Sequence, residues 1–445
     1  MNTIRIIITA IILTTVLLAC EDKTVYHDRM EEPVKSTGID AKLGDVFAMP
    51  DGRAAALVKT DGERKEDEEQ YAIAVIDKNG NYKLSETFYL VSEEYLKIYN
   101  PKATNQLYIS SSGKLFFKQH LSNCDAEIII KLNKDGKIEY DGYYNNYYRY
   151  YDNDCYFLAT ILDNEEIALL KIESNANDNG GTYKKDNLST NCTLMYGKYT
   201  YWKEDELTYD IYTNSKYFCT NAVSAENKIV LYDEYYSDKE GICRLYYYND
   251  GDYKEVKLYN DKPNQYYIIN TDGSIANSGK CELPIIYIKY VDGYIYFITS
   301  NIAYGNPPEK DQDGNDVHQW VITKMDTSGN EISSITIKTY SLLENITIEN
   351  GTLMIPGLVM KGNGQKNGAI FLIDDNSGTF IEKIVLNYDQ CAVIPCVISP
   401  DFKGGYNIFA IIQNNYDDVT NSNTDTDSGK LFIYHTDDLH QLQIK

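Results

Sequence analysis

The chain has 445 residues and a formal net charge of −24 at neutral pH, from 66 acidic residues against 42 lysines and arginines. Phosphate backbones are bound by clustered Lys and Arg, so this charge balance excludes nucleic acid as an expected partner. About 400 residues remain after the N-terminal segments described below, which is enough for one large repeat domain or two ordinary domains.

Residues 1–19 have the features of a signal peptide. Arg5 precedes an apolar run from Ile6 to Ala19. The run is shorter than the roughly 20 residues that a membrane-spanning helix needs, and it fits the apolar core of a secretory signal. It ends in the sequence "LLAC", with Cys20 last. This ending resembles the lipobox of bacterial lipoprotein signal peptides.

The resemblance implies cleavage between Ala19 and Cys20, a diacylglyceryl group on the Cys20 thiol and a palmitate-type acyl chain on its new amine. Such chains anchor a protein to a membrane at about 0.8 kcal/mol per buried methylene. The protein is then expected outside the cytoplasm as a membrane-anchored lipoprotein, in the outer membrane or at the cell surface if the organism is Gram-negative. The alternative is an ordinary secretory signal that happens to end at a cysteine.

Residues 20–45 are polar and contain Pro33 and Gly38, a composition that predicts a lipidated tether. Residues 46–445 are predicted to form one repeat domain. Eight cysteines follow Cys20, and none forms a C-x-x-C pair, so the chain has no zinc-ribbon signature. Cys391 and Cys396 would bridge each other only if the chain turned between them.

A turn followed by an apolar strand recurs along this domain. Its glycines are Gly52, Gly113, Gly293, Gly351 and Gly405. Three gaps between them are 61, 58 and 54 residues, and the fourth, of 180, equals three steps of 60. Degenerate copies, "LDNEEIALLKI" from Leu162 and "AENKIVLYDEY" from Ala225, occupy the two missing places. The sequence therefore predicts seven periods.

A second phrase is an apolar strand that runs into a D/N-x-x-G turn and out into another strand. Examples are "AIAVIDKNGNYKL", "IIIKLNKDGKIEY", "WVITKMDTSGNEISSI", "IFLIDDNSGTFIEKI" and "YYIINTDGSIANSG". Asp or Asn with Gly at this spacing supplies the positive φ of a tight hairpin. Each period therefore holds about four short strands.

Four strands every 55–60 residues, seven times over, predict an all-β fold and a seven-bladed β-propeller. The pattern resembles the broad class of bacterial β-propellers with D-x-x-G turns. The last strands, "KLFIYHTDDLHQLQI", would complete the final blade, with the first strand after the tether closing the ring. Six or eight blades, or two β-sandwiches, are the alternatives. Tryptophan-marked, WD and kelch signatures are absent from the sequence, so no family function is implied.

One loop has an alternation of oxygen-bearing side chains typical of calcium loops. In "EKDQDGNDVHQW" the candidate ligands are Asp311, Asp313, Asn315 and Asp316. The spacing departs from the EF-hand, because Gly314 stands fourth from the first Asp and Ile322 replaces the twelfth-position Glu. Solvated acidic side chains are the alternative interpretation. No other cofactor is expected.

The sequence contains no nucleophile elbow, zinc helix or phosphate loop. We therefore expect a monomeric binding or scaffold protein of the cell envelope, with a protein or glycan ligand. The alternative is an envelope enzyme that acts on glycans at the propeller axis, where loops from several blades meet.

Overall fold

A computed structural model describes residues 24–27, 35–62, 68–91, 103–110, 113–121, 126–145, 154–161, 167–173, 220–225, 228–233, 241–249, 252–260, 264–304, 307–362, 364–386, 391–401, 404–414 and 428–439. The predicted signal peptide and Cys20 lie outside these ranges. The fold is all-β, with short 3-10 turns at Leu43–Asp45 and Asn301–Tyr304. No helix in the described part of the chain has the length and apolarity to cross a membrane.

The described strands form six sheets, and the largest, of eleven strands, contains two four-stranded units joined by the pairing of Asp316 with Met360. The fold therefore has seven four-stranded units in its described part. Their strands are given in pairing order as strands 1 to 4. Strand 1 is called the innermost and strand 4 the outermost.

Unit 1 comprises Val46–Ala48, Ala54–Lys59, Glu68–Ile76 and Tyr82–Leu84, with Phe88–Val91 also paired to the third strand. Unit 2 comprises Ala103–Ile109, Leu115–Leu121, Ala126–Leu132 and Ile138–Asn145. Unit 3 comprises Asp154–Ile161, Ile167–Glu173, Gly241–Asn249 and Asp252–Asn260. Unit 4 comprises Thr220–Ala225, Lys228–Asp233, Gln265–Asn270 and Ile275–Lys280.

Unit 5 comprises Ile285–Val291, Tyr294–Ser300, Asp316–Asp326 and Glu331–Thr339, with Glu309–Lys310 also paired to the third strand. Unit 6 comprises Thr347–Glu349, Thr352–Met360, Lys366–Asp374 and Thr379–Leu386, with Ser341–Leu342 on the second strand and Thr24–His27 on the fourth. Unit 7 comprises Cys391–Pro400, Tyr406–Asn414, Ser428–Thr436 and Lys35–Lys42.

Apolar cores lie between neighbouring units, because each strand alternates its side chains between two faces. Five clusters pack unit 2 on unit 1, unit 1 on unit 7, unit 7 on unit 6, unit 6 on unit 5 and unit 5 on unit 4. The innermost strands of units 3 and 4 lie against each other. The units therefore follow one another in the order 2-1-7-6-5-4-3.

The predicted turns are confirmed at the backbone level. The glycines of both phrases have φ between +65° and +89°, and they are Gly52, Gly80, Gly113, Gly136, Gly273, Gly293, Gly329, Gly351, Gly378 and Gly405. Only glycine adopts this region without strain from a Cβ. Because these turns join strands 1–2 and 3–4 of the units, they lie at one edge of the strands, which we call the turn face. The opposite edge, where strand 2 ends and strand 3 begins, is the loop face.

The folded part begins earlier than the predicted boundary at residue 45. Within the predicted tether, Lys35–Lys42 pairs antiparallel with the C-terminal strand Ser428–Thr436. Ile39 and Ala41 are each 3% exposed. Asp40, between them, is exposed, so a half-buried strand has the composition of a tether. The closing strand was expected directly after the tether, whereas the strand that pairs with the C-terminal strand lies within residues 20–45.

Units 3 and 4 differ from the expected succession of four consecutive strands. The hairpin Gly241–Asn249 and Asp252–Asn260 follows the second strand of unit 4 in the chain, yet it pairs with Ile167–Glu173 of unit 3. The third strand of unit 4, Gln265–Asn270, comes after it. Local sequence specifies a hairpin, whereas the edge on which the hairpin pairs depends on contacts distant in the chain.

Candidate functional site at the loop face

Buried polar side chains concentrate near the loop face. Ten of the seventeen buried polar or charged residues in the described ranges lie in the loop-face half of their strands or directly before them. They are Asp45, Glu69, Gln119, Asn264, Thr299, Ser300, His318, Thr339, Asn367 and Gln413. Burying polar groups costs free energy unless they are hydrogen-bonded. The loop face therefore holds more buried polar side chains than the turn face.

The inner polar cluster, Asp45, Asn105 and Gln119, joins units 1 and 2 near their innermost strands. Asn105 Nδ2 donates a hydrogen bond of 2.6 Å to Asp45 Oδ1, and Gln119 Nε2 donates one of 3.3 Å to Asn105 Oδ1. Asp45 is 7% exposed and Gln119 is 4% exposed. Gln119 Oε1 is buried and accepts no hydrogen bond from any described residue. Gln119 Oε1 is therefore an acceptor without a donor among the described residues.

Asn345 connects three units beside this cluster. Its Nδ2 donates hydrogen bonds of 2.8 Å to both Val46 O and Cys396 O, and its Oδ1 accepts one of 3.2 Å from Ala48 N. Asn345 lies just before the first strand of unit 6, whereas Val46 and Cys396 belong to the first strands of units 1 and 7. A single amide thus fixes the spacing of three innermost strands.

The four calcium candidates make hydrogen bonds or an ion pair with neighbours in their own loop. Asp311 Oδ1 accepts hydrogen bonds from the backbone N–H of Asp313 at 3.0 Å and of Asn315 at 2.8 Å. Its Oδ2 accepts one of 2.9 Å from Asn315 Nδ2, and Asp316 pairs with Lys310 at 2.5 Å. Across the described ranges, no group of three or more His, Cys, Asp or Glu is arranged to hold a metal ion.

This loop uses the same local geometry as the D/N-x-x-G turns. Asp77, Asn133 and Asp326 each accept backbone N–H bonds from the residues two and four positions later, as Asp311 does. A side chain that caps its own turn explains the alternation of Asp and Asn without an ion. The calcium hypothesis therefore gains no support from the described side chains.

His318 follows this loop on the strand Asp316–Asp326 and is 6% exposed. Burial lowers the pKa of His318, and the nearby carboxylates of Asp316 and Glu309 oppose that shift. Its ring lies 6.1 Å from that of Tyr340. A buried imidazole of lowered pKa is neutral at pH 7, so His318 contributes packing and hydrogen-bonding capacity rather than charge.

A buried ion pair lies at the opposite, turn face, between units 5 and 6. Lys324 Nζ is 2.5 Å from Asp375 Oδ2, and the Tyr296 hydroxyl donates a hydrogen bond of 2.6 Å to Asp375 Oδ1. The ammonium also lies 3.9 Å from the centre of the Tyr294 ring. Burial, reinforced by Asp375, raises the pKa of Tyr296 well above its usual value. The charges of Lys324 and Asp375 thus compensate each other, which is consistent with a structural role in joining units 5 and 6.

Sequence reasoning missed the inner polar cluster and Asn345. Their contacts join residues 60, 14 and 297 positions apart, with no shared motif. The sole sequence signal is position: Asp45 and Asn345 stand directly before or within two residues of a first strand.

A disulfide between Cys391 and Cys396 is excluded. The two residues lie on one extended strand and are too far apart to bridge each other.

No model of a known protein family matches the chain, and no curated protein sequence matches it. Several solved structures share part of its shape at low identity. A luciferin-regenerating enzyme matches at 8% identity with a TM-score of 0.34, over 89% of this chain and 91% of that one. BamB from Moraxella catarrhalis matches at 8% identity with a TM-score of 0.31, over 89% and 98%.

A GH43 enzyme from Xanthomonas citri matches at 9% identity with a TM-score of 0.32, over 80% of this chain and 94% of that one. A prolyl endopeptidase matches at 9% identity with a TM-score of 0.34, over 84% of this chain, which spans about half of that enzyme, 53%. All four TM-scores lie below 0.5, so the arguments below use this chain's own strand pairing and side chains.

Proposed function

We propose that this protein is a lipid-anchored, seven-bladed β-propeller of the cell envelope that binds a ligand at its loop face. Each four-stranded unit is one blade. Cys20 carries the lipid, the protein is monomeric, and the ligand is a glycan or protein from outside the cytoplasm. Calcium has no part in this proposal.

The ring is supported by the order in which the units pack. Seven units in the order 2-1-7-6-5-4-3 leave a single neighbouring pair, units 2 and 3, to complete a circle. Pairing of Lys35–Lys42 with Ser428–Thr436 brings both ends of the domain into unit 7. Two β-sandwiches would instead divide the cores into two separate groups.

The observation that carries the binding proposal is the inner polar cluster. Gln119 Oε1 is buried at the loop-face end of the core between units 1 and 2 without a described partner, and Asn105 links this side chain to the Asp45 carboxylate. An unmet buried acceptor costs free energy, which a ligand recovers by donating a hydrogen bond. Acceptors grouped with an amide donor suit polyhydroxylated ligands, because hydroxyls both donate and accept.

Binding of a panel of purified envelope oligosaccharides tests this proposal. Gln119→Met removes the acceptor at similar volume, and we expect about tenfold weaker binding, the effect of one lost hydrogen bond. Gln413→Met is the matched control, because Gln413 is also buried near the loop face and its Nε2 has no described partner. Equal effects of the two substitutions would remove the inner polar cluster from the proposal.

Lipid anchoring is tested separately by intact mass and detergent partitioning of the protein made in a bacterium. We expect acyl mass on Cys20 and a detergent-phase protein, with Cys20→Ala in the aqueous phase. Equal solubility without acyl mass would show a freely secreted protein instead.

The rival function is an envelope enzyme that acts on glycans at the same place. One observation favours it: Asp45 is a buried carboxylate at the loop-face start of an innermost strand. Carboxylates act as acids, bases or nucleophiles in glycoside hydrolysis. Release of reducing sugar from the oligosaccharide panel, abolished by Asp45→Asn, would establish the enzyme over the binding protein.

A further inference from the structure

We infer that the strand Thr24–His27 holds the outer edge of unit 6 against the membrane, so that units 2 and 3 project away from it. This inference rests on the proposed lipidation of Cys20 and on the proposed ring of seven units. It adds an orientation of the folded domain that neither lipidation nor the fold provides alone.

The first support is the pairing of this strand. Thr24–His27 adds in parallel to the outermost strand of unit 6, with Thr24 opposite Lys383 and His27 opposite Leu386. The two strands are more than 350 residues apart in the chain, so no turn enforces the contact. The strand also covers a sheet edge whose backbone groups would otherwise be open to pairing with other chains.

The second support is the reach of the chain. Thr24 is the fourth residue after Cys20, and an extended chain spans at most about 3.6 Å per residue, so the anchor lies within about 14 Å of the unit 6 edge. Without this pairing, the next paired strand begins at Lys35, and fifteen residues would reach about 50 Å. The strand therefore shortens the tether more than threefold.

The third support is the size of the ring. Four strands spaced about 4.8 Å apart span about 15 Å, so outer edges on opposite sides lie at least about 30 Å apart. A tether of about 14 Å keeps one edge at the membrane, whereas a tether of about 50 Å lets any edge approach it. Unit 2 is three units from unit 6 in one direction and four in the other, which makes it the distant side.

Energy transfer to lipid-headgroup acceptors tests the orientation in the acylated, full-length protein on zwitterionic vesicles. An azide-bearing amino acid carrying the donor dye replaces Thr379 in unit 6 or Lys137 in unit 2. Both positions are exposed and begin or directly precede a fourth strand at the turn face. We expect greater transfer from position 379 than from position 137. Equal transfer from both, or greater transfer from 137, overturns the inference.

A variant of equal length distinguishes the effect of strand pairing from the effect of tether length. Replacing Thr24–His27 with Gly-Ser-Gly-Ser keeps the spacing from Cys20 but weakens strand formation. We expect the difference between the two positions to be lost, together with hydrogen-exchange protection at Lys383–Leu386. The outermost strand of unit 5, Glu331–Thr339, is the matched edge whose protection should not change.

The same samples separate the two proposals. Acyl mass on Cys20 with unequal transfer supports both. Acyl mass with equal transfer overturns the orientation and leaves the anchor. Absence of acyl mass overturns the anchor and the orientation together.

Discussion

Lys324 and Asp375 show how strongly a single side chain can matter in this fold. Lys324 Nζ lies 2.5 Å from Asp375 Oδ2, and the side chains are 5% and 10% exposed. Removing one member of a buried pair leaves the other charge without compensation. The cost falls on the interface between units 5 and 6, since the two residues belong to different units.

Asp375→Ala is expected to lower the free energy of unfolding by about 3–5 kcal/mol, because it leaves the Lys324 ammonium buried without its counterion. Urea unfolding measures the loss. Lys338→Ala breaks the exposed pair with Glu309 and is expected to cost less than about 1 kcal/mol. Losses of similar size in both variants would contradict a structural role for the buried pair.

Asp326 provides a pH-dependent prediction at the same scale. Hydrogen bonds from the Asn330 side chain and backbone lower the pKa of Asp326 from 3.8. The folded-state pKa is depressed, so the stabilisation is present above pH 3.8 and is lost as pH falls through the lowered value. A carboxyl-detected NMR titration should give a pKa below 3.8. Asn330→Ala should return it towards 3.8, and an unchanged pKa in that variant would refute the assigned cause.

At the scale of the element, the turns of the two phrases differ in what surrounds their glycines. Gly113 has φ +81° and open space where a Cβ would lie. Gly329 has φ +84°, and a Cβ there would meet the Asn277 side chain. Asn277 Nδ2 donates hydrogen bonds of 3.1 Å to both Ser328 O and Gly329 O, which ties unit 4 to the unit 5 turn.

Gly113→Ala is therefore expected to cost about 1 kcal/mol from backbone strain alone. Gly329→Ala should cost more, because the methyl group also displaces Asn277. Thermal unfolding of the two variants measures the difference. Equal shifts of the melting temperature would show that the contact between units 4 and 5 adds nothing to stability.

Short hairpins were predictable from sequence because their signal is local. The positive φ at Gly80 and Gly136 follows from Asp or Asn three positions earlier, as predicted. The strand Lys35–Lys42 was not predicted, because two buried apolar residues among polar ones resemble a linker. The exchange of hairpins between units 3 and 4, and the meeting of Asp45 with Asn105, depend on contacts that no local pattern encodes.

The N-terminal strand of unit 7 carries a prediction of its own. A version that starts at residue 28 retains Lys35–Lys42, whereas one that starts at residue 46 lacks it. The shorter version exposes the surface that Ile39 and Ala41 cover and should lose about 3 kcal/mol or more. Urea unfolding compares the two. Equal stability would mean that residues 35–42 serve only as a tether, as their composition suggested.

At the scale of the whole molecule, a single ring and two sandwiches differ in compactness. About 400 folded residues in one compact body predict a radius of gyration of about 21 Å. Small-angle scattering of the version that starts at residue 28 measures this radius and the molecular mass. We expect a monomer near that value. A clearly larger radius at monomer mass would favour two tandem domains.

The pairing of Lys35–Lys42 with Ser428–Thr436 also imposes an order in time. The ribosome completes the first of these strands at residue 42 and the second at residue 436, which is 394 residues later. At about 5–20 residues per second, that interval lasts about 20–80 seconds. Throughout it, Lys35–Lys42, the fourth strand of unit 7, lacks the third strand on which it pairs. Unit 7 therefore cannot be completed until the C-terminal strands of the chain have been made.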